Sequence, residues 1–369
     1  MTHTLTCKHC VLGTSDDKSI VINKDGICNY CLNFKEHWIK RESETKRNQL
    51  LSNLVLQIKD QKKKYDCLLG ISGGVDSSYL AYWAHQEGLS PLVVHFDNGW
   101  NSELAVENIQ KICTKLNFDL KTIVIDWQIF KKMQIAYLKA GVVDIEVLTD
   151  HAIYATITQL AKKNKIKYVI SGYNLATEGI MPKGWVYDKR DWSNIKSIVK
   201  KHSDINTFGS FPHVSFWQGL RNHFFHQQKI VQPLNLMNYN KNEAKEILKK
   251  ELGWRDYGGK HYESIFTKFY QAYILPHKFG IDKRKAHLAT IINSGQIDKK
   301  TALSELEKPL YPNADFEQDR DYVLKKLNLS LNEFENIMQS PVQSHLHFDT
   351  DKVLWNRYFK IINLIKLKK

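Results

Sequence analysis

The sequence predicts an α/β protein with a parallel sheet at its centre, a short cysteine ribbon before it and a mostly helical region after it. Three observations predict this. Apolar runs at Tyr65 to Ile71, Leu92 to Phe96, Thr122 to Ile125, Tyr168 to Ser171 and Ile230 to Pro233 alternate with helical patterns at 76–87, 102–116, around 130–139 and 150–163. A glycine turn, Ser72-Gly73-Gly74-Val75-Asp76-Ser77, joins the first apolar run to the first helical one. Two Cys-x2-Cys pairs, Cys7/Cys10 and Cys28/Cys31, precede all of it. Such alternation builds βαβ units, whose ligands bind outside the carboxyl ends of the strands.

In chain order, the ribbon takes residues 1–45. Its two pairs are separated by 17 residues, a spacing that brings four thiolates around one tetrahedral Zn²⁺, with an iron–sulfur cluster as the alternative. A closed four-thiolate shell leaves no position for water, so the metal is expected to hold the fold and not to do chemistry. Leu50, Leu51, Leu54, Val55 and Ile58 then recur at helical spacing as a connecting helix that ends near the lysine run Lys62 to Lys64. The central domain is read as 46–240. Cys67 on its first strand and Cys113 on a helix with Ile109, Ile112 and Leu116 are expected to be core residues.

The glycine turn is the most informative segment. Backbone N–H groups at a strand-to-helix junction are unpaired, and with the helix dipole and the hydroxyls of Ser72, Ser77 and Ser78 they form a cradle for phosphate oxygens. No GxxxxGK[ST] string occurs, so the lysine that a kinase-type loop places on the β- and γ-phosphates is missing. Two further loops follow strand ends: His95-Phe96-Asp97-Asn98-Gly99-Trp100, where ribose or adenine is expected, and Ser171-Gly172-Tyr173-Asn174-Leu175-Ala176-Thr177-Glu178. Asp76 and Glu178 offer hard oxygen ligands for Mg²⁺ on a triphosphate. Asp150 reads equally as a helix cap or a ligand contact. From 181 to 225 no clean period persists, and aromatic rings alternate with cations, either to stack on a ligand or to pack the insertion down.

The region 241–369 begins with a helix whose Asn240-x-x-Glu243 reads as a capping box. Two glycine-rich blocks follow, 253–264 with Arg255, Lys260, His261 and Glu263, and 278–284 with Arg284.

Composition bounds the function classes. Hydrophobic content of 43% and charged content of 25% over 369 residues are those of a globular protein with a sizeable core. The net charge, 53 − 39 = +14, suits anionic ligands without choosing among them. No apolar stretch approaches the ~20 residues that span a bilayer, and the N-terminus lacks the apolar core of a signal peptide, so a cytoplasmic location and no membrane partner are expected. Six cysteines are then not expected to form disulfides.

The short SGGxDS loop without the lysine resembles the pyrophosphate loop of the PP-loop ATP pyrophosphatases, an adenine nucleotide alpha hydrolase-like fold. The Gly-x-Asn-x-x-x-Glu spacing at Gly172, Asn174 and Glu178 is similar to the magnesium-bearing loop of NAD synthetase. Taken with the ribbon, VHFDNGW, TDHAI, GYNLATE and GWRDYGGKHYES…KFGIDKR, the chain resembles over essentially its whole length the N-acetyl sugar amidotransferases of bacterial surface-polysaccharide and flagellin-sugar biosynthesis.

That resemblance implies ATP, Mg²⁺ and structural Zn²⁺ as cofactors. It implies an acetamido sugar, carried on a nucleotide, converted to an acetamidino sugar for lipopolysaccharide O-antigen or a related glycan. Ammonia is expected from a glutaminase and cyclase-like partner resembling imidazole glycerol phosphate synthase, because no catalytic cysteine follows Met1 and Cys7 belongs to the metal set. In this reading Ser72, Gly73, Gly74, Ser77 and Ser78 hold pyrophosphate, Asp76 and Glu178 hold Mg²⁺, and Asp97, Asn98, Gly172 and Asn174 complete the nucleotide site. Arg255, Lys260, His261, Glu263 and Arg284 are expected at the sugar nucleotide or the transition-state charge. The competing expectation is a PP-loop tRNA-modifying enzyme, a thiolase or a lysidine-type ligase. Nucleic acid is not otherwise expected as a partner.

Overall fold

Five strands hydrogen-bond in the order β3-β2-β1-β4-β5, all parallel: β1 Cys67–Gly70, β2 Pro91–Asp97, β3 Leu120–Val124, β4 Tyr168–Ile170 and β5 Lys229–Val231. They belong to a computed structural model that describes residues 4–226, 228–258, 262–311 and 313–366. Burial grades outward from the middle. Cys67, Leu68 and Leu69 of β1 and Tyr168, Val169 and Ile170 of β4 are buried, whereas β3 leaves Val124 exposed and β5 leaves Ile230 exposed. Lys121 and Lys229 sit on those two outer strands, where charge discourages pairing with another chain. Because successive strands run from β1 to β3 on one side and β4 then pairs on the other side of β1, the strand order reverses between β1 and β4. A parallel sheet opens its ligand crevice there.

The expected strands are all present; β1, β4 and β5 are shorter than expected, and β2 and β3 are longer. β1 starts at Cys67 and not Tyr65, because Asp66 instead accepts the Ser90 N–H at 2.9 Å. β5 ends at Val231, and Pro233, with no N–H to continue a ladder, begins a 3-10 turn at Pro233–Asn235. The helices at 76–87 and 102–116 lie within a residue of their expected bounds, and the next two start three residues early. Asp126 accepts from Gln128 N and Ile129 N and so starts the helix Trp127–Ala140 three residues early, and the helix that leads into β4 runs from Val147 to Lys163. Asn240 caps Lys241–Leu252 by accepting from Asn242 N and Glu243 N, without the reciprocal Glu243 bond of the expected capping box, and Gly253 ends that helix at φ 65°.

The insertion at 181–225, where no period was legible, contains the helix Trp192–His202 and most of the helix Phe216–His226. Its rings are largely interior: Trp185, Trp192, Phe211 and Phe216 are buried, and Trp192 stacks on His213 and His151. Of the two open readings, packing accounts for these rings, while Trp217 stays exposed. No helix among the described residues is long and apolar enough to cross a membrane.

The flanking regions share their cores with the sheet and with each other. Leu248, Leu252 and Trp254 lie in one apolar cluster with Leu69, Val75, Leu80 and Val93. Ribbon residues Val11, Leu12 and Phe34 lie in another with Trp185, Ala286, Ala289 and Ile292.

Two interior histidines make stability pH-dependent. His151 Nδ1–H donates to Lys189 O at 2.7 Å while Nε2 accepts from Val214 N, and His345 Nδ1–H donates to Asn194 Oδ1 while Nε2 accepts from Asp144 N. A second ring proton on either would face an N–H, and burial pushes both down to about 4. Above the ordinary histidine value both states are neutral. Below it the unfolded chain takes up protons that the folded chain refuses until about pH 4. Unfolding free energy measured by denaturant titration is therefore expected to fall between about pH 6.5 and 4, by up to ~3 kcal/mol for each ring. A flat profile across that window contradicts the assignment.

Candidate functional site

The crevice between β1 and β4 is built by three loops and roofed by a segment from the C-terminal region. The first loop leaves β1 at Gly70 and turns at Gly73, whose φ of +84° is glycine territory. A Cβ there would also approach Ala105 O to 2.9 Å, so no side chain fits. Gly74 is the N-cap of the helix Val75–Gln86 and has no side chain with which to cap it. The first turn of this helix thus presents its N–H groups and positive dipole end toward the crevice, as an anion site requires. Ser72 Oγ receives Gly74 N–H at 3.2 Å and lies 3.3 Å from Ser77 Oγ, which draws the two hydroxyls together over the loop.

Residues far along the chain set the loop's peptide planes. Trp254 Nε1 and Tyr257 OH both donate to Gly73 O, each at 2.8 Å. Since C=O and the following N–H of one peptide point in opposite directions, pinning this carbonyl to the roof directs Gly74 N–H away from it, toward Ser72 Oγ. Asn108 exchanges two hydrogen bonds with the Arg255 backbone at 2.8 and 2.9 Å, and Ser102 N donates to Glu263 O at 2.8 Å, so the segment on either side of Tyr257 is tied to the helix Glu103–Leu116.

The loop after β4 meets the first one. Gly172 faces Asp76 and Ser77, where a Cβ would lie 3.7 Å from each. Tyr239 OH donates to Asp76 Oδ1. The Tyr239 phenol is pushed well above its usual range, by burial first and then by Asp76 and Glu178, which puts both carboxylates in its surroundings. This is the pair expected to hold Mg²⁺, and its hard oxygens fit that ion.

After β2, Asp97 Oδ1 accepts from Gly99 N at 2.8 Å and Asn101 Nδ2 at 3.0 Å, and Asn98 Oδ1 accepts from Trp100 N. His95 completes the loop, with Nδ1–H donating to Ile71 O and Nε2 accepting from Asn101 Nδ2. Trp100 is fully buried against Phe266 and Trp127, and Lys326 lies over its ring.

Several expected site residues are employed elsewhere. Ser78 is wholly buried and its Oγ has no partner among the described residues, so it does not reach the crevice. Asn174 is buried and caps the short helix Leu175–Glu178 through Thr177 N. Arg255 pairs with Glu107 at the surface. Arg284 is not placed for catalysis. Its guanidinium binds Asp282 at 2.8 Å and the carbonyls of Glu305, Leu306 and Lys308 at the end of the helix Lys299–Glu307, which uses every donor it has.

Asp150 does not cap its helix, whose N-cap is Glu146; it lies 3.2 Å from Lys189 Nζ. Glu263 stands near Gly74, its Oε1 3.7 Å from where a Cβ would sit. Lys260 and His261 lie outside the described residues. Sequence reading missed Tyr239, Trp254 and Tyr257 as loop-setting residues. The last two lie in the glycine-rich block it had marked, but nothing local tells a ring that pins a carbonyl from one that fills a core.

In the ribbon, the sulfurs of Cys7, Cys10, Cys28 and Cys31 all lie within 4.8 Å of one another, with Cys7–Cys31 at 3.9 Å and Cys10–Cys28 at 3.7 Å. Tetrahedral Zn–S bonds of ~2.3 Å place their sulfurs ~3.8 Å apart, so the set is compatible with zinc. Four backbone N–H groups and Asn293 Nδ2 point at these sulfurs, as thiolates need. The two remaining cysteines are inert by environment: Cys67 and Cys113 are buried, and burial pushes the Cys113 thiol up to about 11 and Cys67 higher still.

Comparison with known proteins bears on the same two regions. Residues 66–177 match the family described as queuosine biosynthesis protein QueC, and residues 263–362 the family described as LPS biosynthesis protein WbpG-like, C-terminal domain. An uncharacterised protein of Methanocaldococcus jannaschii is 25% identical over 332 residues, 87% of this chain and 100% of that one. A tRNA(Ile)-lysidine synthase of Chlamydia pneumoniae is 41% identical over 58 residues, 15% of this chain and 18% of that one. Among solved structures, NMN synthetase from Francisella tularensis aligns with 74% of this chain and 100% of its own at 17% identity and a TM-score of 0.38. The NH3-dependent NAD synthetase from Campylobacter jejuni aligns with 57% of this chain and 94% of its own, at 17% identity and a TM-score of 0.30. With a parallel sheet and a lysine-free glycine cradle at its switch point, the chain joins a region similar to the PP-loop protein QueC to a C-terminal region similar to the WbpG-like domain.

Proposed function

We propose that the protein is an ATP-dependent amidotransferase that converts the acetamido group of a nucleotide-linked sugar to an acetamidino group, for lipopolysaccharide O-antigen or a related glycan. The family matches support an ATP-using PP-loop enzyme, and the description of the C-terminal match supports the link to lipopolysaccharide. The observation that carries the reading is the cradle itself. Its uncapped helix N-terminus and paired serines offer donors to a departing pyrophosphate, and the roof holds the loop in that shape.

The acetamido oxygen attacks the α-phosphorus of ATP and pyrophosphate leaves. An amide carbon so activated loses its poor leaving group, because the oxygen now departs as part of AMP. Ammonia adds to that carbon, a proton is lost, and AMP is expelled with the oxygen, leaving the amidine. Ser72, Gly73, Gly74 and Ser77 bind the pyrophosphate, and Asp97 and Asn98 flank the ribose or adenine. Asp76 and Glu178 hold Mg²⁺, which supplies charge neutralisation on the phosphates when bound. Zn²⁺ on the four cysteines holds the ribbon and takes no part in the chemistry. Ammonia comes from a glutaminase and cyclase-like partner, and the enzyme works in the cytoplasm.

The test is product analysis. Incubation with ATP, Mg²⁺, ammonium and candidate nucleotide sugars should yield AMP and pyrophosphate together with an acceptor in which one oxygen has become NH by mass spectrometry. ADP and orthophosphate as products refute it. The short match to a lysidine synthase favours a second reading, tRNA modification, in which tRNA and not a sugar stimulates AMP formation. Its thiolating form lacks a reactive cysteine pair, since Cys67 and Cys113 are both buried and protonated.

A further inference from the structure

A second constellation lies beyond the same strand ends as the nucleotide loops. The helix Val147–Lys163 precedes β4 in a parallel sheet, so it runs against the strands and begins at their carboxyl edge. Ile157 packs by Gly70 at the end of β1. Asp150, seven residues earlier, therefore stands about 10 Å beyond that strand end. Asn98 Nδ2, at the end of β2, donates to Thr149 Oγ1 at 3.3 Å and ties this turn to the nucleotide loops.

Five charges converge there from three parts of the chain. Lys189 Nζ lies 2.6 Å from Asp144 Oδ2 and 3.2 Å from Asp150 Oδ2, and Lys283 Nζ lies 2.9 Å from Glu146 Oε2. Gln271 Nε2 also reaches Glu146, at 3.1 Å, from a π-helical turn at Tyr270–Ile274. Such turns interrupt regular helices mostly where a site demands it. Beside Asp144, the wholly buried Tyr137 hydroxyl lies in the field of Asp144, Asp191 and Tyr187 and has no hydrogen-bond partner among the described residues. A buried hydroxyl of that kind calls for a partner.

Two members of the cluster are open to ligand. Asp150 leaves 46% and Lys189 31% of their side chains open to solvent. Even so, burial pushes the Asp150 carboxyl up, against the opposing pull of Lys189.

Resting on the amidotransferase reading above, we propose that Asp144, Glu146, Asp150, Lys189 and Lys283 form the subsite for the sugar ring of the acceptor, with Asp150 and Lys189 contacting its hydroxyl or acetamido groups. The charges choose the ligand class. Three carboxylates against two ammonium groups give no net attraction for a phosphate, whereas a polyol donates to the carboxylates and accepts from the lysines at once. The parts agree with this. Gln271 and Lys283 come from the region that matches the WbpG-like domain and Lys189 from the insertion, so the charge cluster lies where those segments meet the region that matches QueC.

The test is calorimetric titration of the full chain, with a non-hydrolysable ATP analogue present, using UDP-N-acetylglucosamine, UDP-N-acetylgalactosamine and CMP-N-acetylneuraminate as probes. Asp150→Asn should weaken sugar binding by at least about tenfold, the worth of a charged hydrogen bond, with analogue affinity and melting unchanged, and Lys283→Gln should weaken it similarly with analogue affinity unchanged, at the cost of a lower melting temperature because Glu146 loses its ion-pair partner. Wild-type sugar affinity in both variants overturns the subsite and leaves the amidotransferase reading intact. Failure of the wild-type chain to bind any of the three overturns both.

Discussion

Asp76→Ala is expected to eliminate AMP and pyrophosphate formation, by at least ~10³-fold in kcat, while the melting temperature stays near that of the parent. Asp76 is in the first turn of the helix that follows the cradle, opposite Gly172, and is only half-buried, so its loss opens no apolar void. Its carboxylate is held by the Tyr239 hydroxyl, and Glu178 lies in the same surroundings. A metal-bound triphosphate needs that anionic oxygen at a fixed place, and alanine offers none. Tyr239→Phe makes the useful contrast, because it keeps the carboxylate and removes one donor. A loss of about tenfold is expected for it, the value of one hydrogen bond to a charged group. Full turnover by Asp76→Ala removes Asp76 from the mechanism; equal losses in the two variants make Tyr239 more than a support.

Cys28→Ser is expected to strip the ribbon of metal and to lower the melting temperature beyond what the ribbon alone explains. Cys28 is both a ligand and the N-cap of the helix Asn29–Ile39, where its sulfur accepts from Cys31 N. In small zinc domains metal binding supplies ~10 kcal/mol or more of folding free energy. Here the ribbon is also docked: Asn293 donates to Cys31 Sγ, Lys285 pairs with Asp16 at 2.6 Å, and Lys299 Nζ donates to Cys7 O at 2.7 Å. Demetallation should therefore loosen the helix Arg284–Asn293 as well, visible as new proteolytic cleavage there. Elemental analysis should find one zinc per wild-type chain and less in Cys28→Ser. A metal-free wild-type protein whose melt ignores chelator contradicts the zinc assignment.

Much of this was legible in sequence because it obeys short-range rules. An apolar strand, two glycines and a helix start lie within a dozen residues, and each has one local explanation: burial, positive φ at Gly73, an uncapped N-terminus at Gly74. The cysteine spacing is local in the same sense. The insertion was harder. Trp192, Ile195, Ile198 and Val199 do make a buried helical face, but aromatic residues and cations around them mask the period. Arg284 shows the other limit. A cation beside glycine turns reads as a phosphate contact, yet three carbonyls at the end of the helix Lys299–Glu307 claim it.

The sequence by itself determined the sheet, the anion cradle and the four-sulfur set, since backbone conformation and ligand spacing are properties of neighbours in the chain. Only the tertiary structure decided which charged and aromatic side chains serve the site. Trp254 and Tyr257 reach Gly73 across more than 180 residues, and Lys283 reaches Glu146 across 137. A buried donor or charge takes whichever partner the packing brings within 3 Å or so, and no local pattern records that choice.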